Sequence, residues 1–330
     1  MKYLLLLVSL QVNAQITSLS GRPISVASFE KFLRQQMDSS KIMGLSVAVV
    51  NDGRVVYHGA FGLADVYKQE KVDDQTIFEC ASMGKSLFAF FVLRLVEQGV
   101  LTLDTPLYKY LPCPEAAFDD RYKRITARMV LSHTSGFPNW RDNPDTLKIL
   151  FDPGTRFSYS GEGYEYLARV VTHLTGRTIR NVDSLFLDEV ATPLHLTHTR
   201  YTMTPYIARH LAAGHVGDTV VYEPADKYSF HPAGGLYSEP QEFAQFLIAV
   251  IDGKLLSAAS LNEMLRQQVA LDSATSPKMP SGITGWGLGF QIQPSPYGNN
   301  YLHGGNNWGY TDEFMLNREK RFGFIVFCFV

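Results

Sequence analysis

The sequence predicts an α+β fold: one antiparallel sheet formed from both chain ends, with covering helices and an inserted, mostly helical region. Strand-like runs stand early, at Gly44 to Val50 and Arg54 to Phe61. Helix-like apolar patterns fill the middle, from Ser82 to about Gln268, and strand character returns from Trp286 to Val330. Strands, then helices, then strands point to a single sheet closed from both ends rather than to alternating βαβ units. The sheet is expected from about residues 40–80 and 280–330 and the helical region from about 82–270, within one domain over 15–330.

The elements follow in order. Phe29, Phe32, Leu33 and Met37 recur among charged residues at helical spacing, which predicts a half-exposed helix near Ser28 to Met37, capped by Ser28. Asn51-Asp52-Gly53 between the first two β-rich runs predicts a hairpin. Leu87 to Val96 is apolar around nearly its whole circumference, as in a helix buried on all sides. Further helices are expected around Ala127 to His133, from Tyr164 to Thr175, and after Ser238, where Ser238-Glu239-Pro240-Gln241 reads as a capping box with proline in the first turn. Gly287 to Ile292, Asn300 to His303, Thr311 to Leu316 and Phe322 to Val330 read as successive strands. The last has no polar face, which predicts a central strand covered on both sides.

Composition narrows the function classes. The 330 residues, 45% hydrophobic and 19% charged, describe an ordinary globular chain with room for a large core. A formal net charge of -2 and the lack of a basic stripe argue against nucleic acid or an anionic membrane as partner. Met1-Lys2-Tyr3, an apolar run from Leu4 to Leu10, and Val12-Asn13-Ala14 have the layout of a signal peptide over 1–14, cleaved after Ala14, so a secreted or periplasmic protein is expected, with no integral membrane segment after cleavage. Cys80, Cys113 and Cys328 are an odd number and cannot make a complete disulfide framework, and no Cys or His group has zinc-ligand spacing. Neither a metal nor a cofactor is expected.

The chemistry-bearing stretch is Glu79-Cys80-Ala81-Ser82-Met83-Gly84-Lys85-Ser86. A serine hydroxyl needs a base within hydrogen-bond reach, and positions i and i+3 of a helix share a face, so Lys85 can stand beside Ser82. At the mouth of an apolar helix, desolvation lowers the lysine's pKa toward the range where its neutral amine accepts a proton. The spacing alone is weak. Ser28-Phe29-Glu30-Lys31 repeats it on a half-exposed helix, where it reads as a cap and a solvated lysine, and for Ser82 a capping serine with a snorkelling lysine is equally open.

Acyl transfer also needs a proton shuttle and donors for the oxyanion. Asp152 to Gly161 places Tyr159 in a Gly-bounded loop before a helix, and His303-Gly304-Gly305-Asn306 ends a predicted strand where glycine lets backbone approach a substrate. In this order, Ser82-Met83-Gly84-Lys85, Tyr159-Ser160-Gly161 and His303-Gly304-Gly305 resemble the Ser-x-x-Lys, Tyr-x-Asn and Lys-Thr-Gly elements of the serine β-lactamase and penicillin-binding-protein superfamily, most closely its class C-like branch of β-lactamases, D-stereospecific peptidases and esterases. Leu131 to Pro138, Gly99 to Asp104 and Ala233 to Ser238 look like that branch too, and the resemblance spans essentially the whole chain after the leader.

The resemblance implies that Ser82 forms an acyl-enzyme, that Lys85 and Tyr159 share proton transfer, and that the N–H groups of Ser82 and Asn306 form the oxyanion hole. Two recognition groups of the family are replaced: Gly161 stands for the asparagine that holds a substrate's side-chain amide, and Gly304 for a hydroxyl residue that helps bind its carboxylate. The expected activity is therefore an esterase or D-amino-acid peptidase-like hydrolase acting on a small ester, amide or β-lactam, or on a cell-wall peptide. The alternatives are a class C-like β-lactamase and a penicillin-binding receptor that acylates without turnover. The family usually adds a C-terminal helix after the last strand, and in this sequence that helix is expected to be missing.

Overall fold

The computed structural model describes residues 15–217, 219–221, 226–271 and 282–329. The expected signal peptide at 1–14 lies outside them, as does Val330. The fold is mixed α and β around a large antiparallel sheet, as the pattern predicts. Its principal strands are β1 (Gly44–Asn51), β2 (Arg54–Asp65), β3 (Gln291–Ser295), β4 (Gly298–Asn307), β5 (Tyr310–Asn317) and β6 (Phe322–Phe329). They run in the order β3-β4-β5-β6-β1-β2, extended by two-residue strands at both edges to nine. The junction between the two chain ends is the β6–β1 pair, with Ile325 opposite Ala48.

The β1–β2 hairpin turns on Asp52 and Gly53, both at positive φ (50° and 70°), with Asn51 paired to Arg54. That is a two-residue turn whose twist matches the strands, so Asn51 ends the strand rather than sharing the turn. Strand β6 lies inside the sheet. Ile325, Phe327 and Phe329 join the main core, while Phe322, Val326 and Cys328 pack with a second cluster on the opposite face. That second face is covered by helix α1 (Val26–Ser40), whose Leu33 packs in the cluster of Leu45, Val47, Val49, Tyr57 and Phe61. The α1 cap is Ser25, which accepts from the Ser28 N–H at 3.2 Å, and not Ser28 as the pattern suggests.

The main core lies on the other face. Helix α2 (Gly84–Glu97) is buried from Gly84 through Leu93 and at Leu95, in keeping with its apolar circumference. Phe90 meets Phe246 edge to face, and Phe91 meets Phe186 in the same way. The central helix after Tyr159, α3, runs Gly161–Leu174, and α4 (Pro240–Asp252) packs against β6 and β1. The α4 cap is Glu239, one residue later than the expected Ser238: its carboxylate accepts from Gln241 and Glu242 N–H at 2.7 and 2.6 Å. Pro240 sits in the first turn, and the Glu239 carboxyl oxygens meet N–H groups that the helix start leaves without partners. Ser238 instead closes a short strand, Leu236–Ser238, paired with Phe78–Ala81. Leu236–Ser238, inside a region whose pattern reads as helical, thus pairs with the strand that carries the residues just before Ser82.

Candidate active site

Ser82 stands in the turn between strand Phe78–Ala81 and α2, and the residue at the helix cap, Met83, makes no side-chain capping bond. The capping reading of Ser82 therefore has no counterpart in the structure. The preceding Ala81 is at φ 45°, a left-handed conformation that costs a non-glycine residue about 1 kcal/mol or more. The sharp reversal presents the half-buried Ser82 at the start of the helix.

Lys85, one turn on, is fully buried. Its Nζ donates to Ser82 Oγ at 3.1 Å and to the carbonyl of Ala233, and it lies 4.8 Å from the Tyr159 ring centroid and 5.6 Å from that of Tyr164. Burial lowers its pKa from 10.5 to about 7, with the Glu165 carboxylate partly opposing the fall. Glu165 Oε1 also accepts from the Ala233 N–H at 3.2 Å, so the carboxylate holds the loop whose carbonyl holds the lysine.

Tyr159 is fixed by its neighbours. The His133 ring lies 4.2 Å from its ring centroid, and His133 Nδ1 accepts from the Ser160 N–H at 3.0 Å. Ser160 caps α3, accepting from Gly163 N–H at 3.0 Å. The Tyr159 hydroxyl oxygen is buried, with no hydrogen-bond partner within ordinary geometry among the described residues. Burial raises its pKa, and the nearby Ser82 hydroxyl partly offsets the rise. His133 is neutral: burial, then the neighbouring Lys85, pushes its pKa far down, and the proton sits on Nε2 because Nδ1 is an acceptor.

The third segment lies on β4. His303 is buried, its Nδ1–H donates to the Gly304 carbonyl at 2.7 Å, and burial followed by the Lys85 charge lowers its pKa to about 3. It is thus a neutral group where the family pattern has a cation. Gly304 is exposed, and a Cβ there would meet nothing nearer than the Asp312 carbonyl at 3.7 Å. At Gly305 a Cβ would stand 2.5 Å from the Cys80 carbonyl, so only glycine lets β4 close on the serine strand. The exposed Asn306 turns its side chain along its own hairpin, with Nδ2 3.2 Å from Thr311 Oγ1. Asn307 Nδ2 donates to Glu79 Oε2 at 2.7 Å and to the Gly234 carbonyl at 3.0 Å, fastening β4 to both walls.

The fold thus gathers Ser82, Lys85 and Tyr159 at one point and sets His303 to Asn306 on the strand that closes over Cys80. Gly161 differs from expectation. The volume of the missing side chain is filled: a Cβ at Gly161 would lie 2.8 Å from Trp140 Cη2 and 2.9 Å from the Asn139 carbonyl. Beside the site opens a cavity of about 830 Å³, lined by Glu79, Trp140, Glu165, His231, Asn307 and Trp308 among others. Residue spacing does not single out Trp140, Glu165 or the Ala233 carbonyl. His133 lies in the Leu131 to Pro138 segment, whose resemblance to the family carried no role for the imidazole.

The sheet and its covering helices have the β-lactamase and penicillin-binding-protein fold. The chain belongs to the beta-lactamase family, whose model, described as Beta-lactamase, matches residues 29–328. Protein flp of Staphylococcus aureus (strain COL) is 24% identical over 329 aligned positions, covering 92% of this chain and 62% of its own length. The chain thus spans less than two thirds of that relative. The putative penicillin-binding protein PbpX of Bacillus subtilis (strain 168) is 26% identical over 275 positions, 78% of this chain and 64% of that protein. Among solved structures, the octameric penicillin-binding protein homologue from Pyrococcus abyssi superposes with a TM-score of 0.79 at 24% identity, over 92% of this chain and 73% of that one. EstCE1, described as a hydrolase with promiscuous acyltransferase activity, gives 0.75 at 20% identity, over 90% and 91%. At these identities the two structures establish the fold.

Proposed function

We propose that the protein is a serine acyl hydrolase of the class C-like branch, working through an acyl-enzyme on Ser82 and acting on small esters, with D-amino-acid peptides next in preference. The observation that carries this reading is the 3.1 Å contact between Ser82 Oγ and a fully buried Lys85 whose pKa falls to about 7. Near neutrality a large fraction of the lysine is an uncharged amine, and a base matched to the working pH is the most effective.

In this mechanism Lys85 Nζ takes the Ser82 proton as Oγ bonds to the substrate carbonyl carbon. The carbonyl electron pair moves to oxygen, where the N–H groups of Ser82 and Asn306 receive the charge. Collapse breaks the bond to the leaving alkoxide or amine, which takes the proton back from Lys85 by way of the Tyr159 hydroxyl. Water then attacks the acyl-enzyme, giving up its proton along the same pair, and Ser82 is released with its hydrogen restored. Lys85 and Tyr159 share the proton duty.

Ester preference is supported by what recognition lacks. A neutral His303 offers a substrate carboxylate no positive charge, Gly304 no hydroxyl, and Gly161 no amide. An activated ester needs none of these, whereas a penicillin or a terminal D-alanine peptide gains from all three. The signal-peptide layout of 1–14 supports a secreted or periplasmic location. Among the described residues, no helix is long and apolar enough to cross a membrane.

The test is kcat/KM for an activated short-chain ester and for a penicillin on the same preparation. Ester hydrolysis is expected to dominate. A parent enzyme that prefers the penicillin is a β-lactamase, and a stoichiometric burst without turnover on both marks a penicillin-binding receptor.

A further inference from the structure

We propose that Trp140 is a specificity-determining residue, giving the site a preference for substrates whose acyl group ends in an aromatic ring. The proposal rests on the acyl-hydrolase reading above and names the substrate class of that same site. Trp140 occupies the volume next to Gly161 that a recognition side chain would need, two residues beyond Tyr159, and it also lines the adjoining cavity. One ring therefore touches both the first turn of α3 and the chamber beside it.

The ring is exposed yet held. It is 56% exposed, and Trp308, which lines the same cavity from the β4–β5 turn, is 80% exposed. An exposed tryptophan on a loose loop would carry no argument, but both neighbours of Trp140 are fastened to the first turn of α3. The Asn139 carbonyl accepts from Gly161 and Glu162 N–H, each at 3.1 Å, and Asn139 Oδ1 accepts from Gly161 N–H at 3.0 Å. On the other side, Arg141 N–H donates to Glu162 Oε1 at 3.1 Å and its guanidinium to Glu162 Oε2 at 2.6 Å. A large apolar face fixed at the rim of a cavity is already ordered when a ligand arrives, so stacking on it costs little further entropy.

The rest of the lining favours ring contact over charge recognition. Most of its charged groups are engaged with one another or with neighbouring side chains: Glu162 with Arg141, Glu165 with His231 at 3.4 Å, Glu79 with Asn307, Arg169 with Glu115 at 2.6 Å and Asp226 with the Ser229 hydroxyl at 2.7 Å, while Lys227 lines the cavity close enough to Glu79 to act on its charge. The two indoles are the large exposed apolar side chains that the lining offers a substrate. Where the family pattern places an amide-binding asparagine, this chain therefore offers a stacking plane, which selects a flat apolar acyl terminus over a short alkyl one.

Two measurements test this independently of each other. The first is the ratio of kcat/KM for p-nitrophenyl phenylacetate to that for p-nitrophenyl acetate. It is expected to exceed tenfold in the parent, to collapse toward unity in Trp140→Ala, and to be partly kept in Trp140→Phe. A ratio unchanged by Trp140→Ala overturns the proposal. The second is calorimetric binding of phenylacetamide to Ser82→Ala, which needs no turnover. Adding Trp140→Ala is expected to weaken it tenfold or more, and absence of binding, or binding indifferent to Trp140, overturns the proposal. If the parent hydrolyses neither ester, the acyl-hydrolase reading fails, and the phenylacetamide titration still decides whether the ring recognises aromatic groups.

Discussion

Gly305 on β4 faces the carbonyl of Cys80 so closely that a Cβ at 305 would lie 2.5 Å from that oxygen, with the side chain of Ala81 3.2 Å away. This contact sets the gap between the strand bearing Asn306 and the turn bearing Ser82, the two backbones proposed to form the oxyanion hole. Gly305→Ala must push them apart. Expected are a loss on the order of 10²-fold in ester kcat/KM, from displacement of the donors, and a destabilisation of about 1–3 kcal/mol. Steady-state kinetics and urea unfolding on one preparation check both, and unchanged kinetics would remove the strand from the mechanism.

The pH profile should report Lys85. Only the neutral amine accepts the Ser82 proton, so kcat/KM should be low in acid and rise with pH through an inflection near 7, where burial places the lysine. His303, held neutral down to about 3 by its own burial, adds no inflection between pH 5 and 8. Lys85→Ala should lower acylation by orders of magnitude with the fold intact. A flat profile from pH 5 to 9 would contradict the assignment.

Glu165 offers a signed test of the same electrostatics. Its carboxylate is the charge that opposes the fall of the Lys85 pKa, so Glu165→Gln removes a group favouring the ammonium form. The acid-limb inflection should move to lower pH than in the parent. A glutamine can still accept from the Ala233 N–H, which keeps the loop in place while the charge is lost. An inflection that moves upward, or stays put, would exclude Glu165 as a modulator of the lysine.

Restoring a family recognition group is possible at one position and blocked at the other. Gly304 faces open space, so Gly304→Thr introduces a hydroxyl without displacing anything, and the ratio of β-lactam to ester kcat/KM should rise about tenfold, the worth of one hydrogen bond of ~1 to 1.5 kcal/mol. Gly161→Asn meets Trp140 and the Asn139 carbonyl, and it should gain no β-lactam activity even when Trp140 is shortened, because the backbone carbonyl stays in place. A Gly304→Thr enzyme with an unaltered ratio would show that the carboxylate is held elsewhere.

Local signals carried much of this fold, and non-local contacts explain the rest. Periodicity located α2 because Phe88, Phe90, Phe91 and Leu93 are apolar on every side, and turn chemistry located the β1–β2 hairpin at Asp52-Gly53. Helix starts were off by one to three residues, since Ser25 and Glu239 compete with Ser28 and Ser238 for the cap, and the backbone path decides which side chain reaches the free N–H groups. The three catalytic candidates were legible because the Ser-x-x-Lys spacing is local and the other two motifs fall in family order. Glu165, the Ala233 carbonyl and Trp140 were not: each acts across at least 20 residues of sequence, on Lys85 or Gly161, through contacts that only the packed chain makes. Nor does the identity of Gly161 reveal that its neighbour has filled the gap.

Intact-protein mass after incubation with a fluorophosphonate reads out whether Ser82 is the nucleophile. The parent and Ser28→Ala, whose altered residue lies exposed on α1, are expected to gain one covalent adduct, and Ser82→Ala none. An adduct that persists on Ser82→Ala at the parent's rate would exclude Ser82 as the nucleophile.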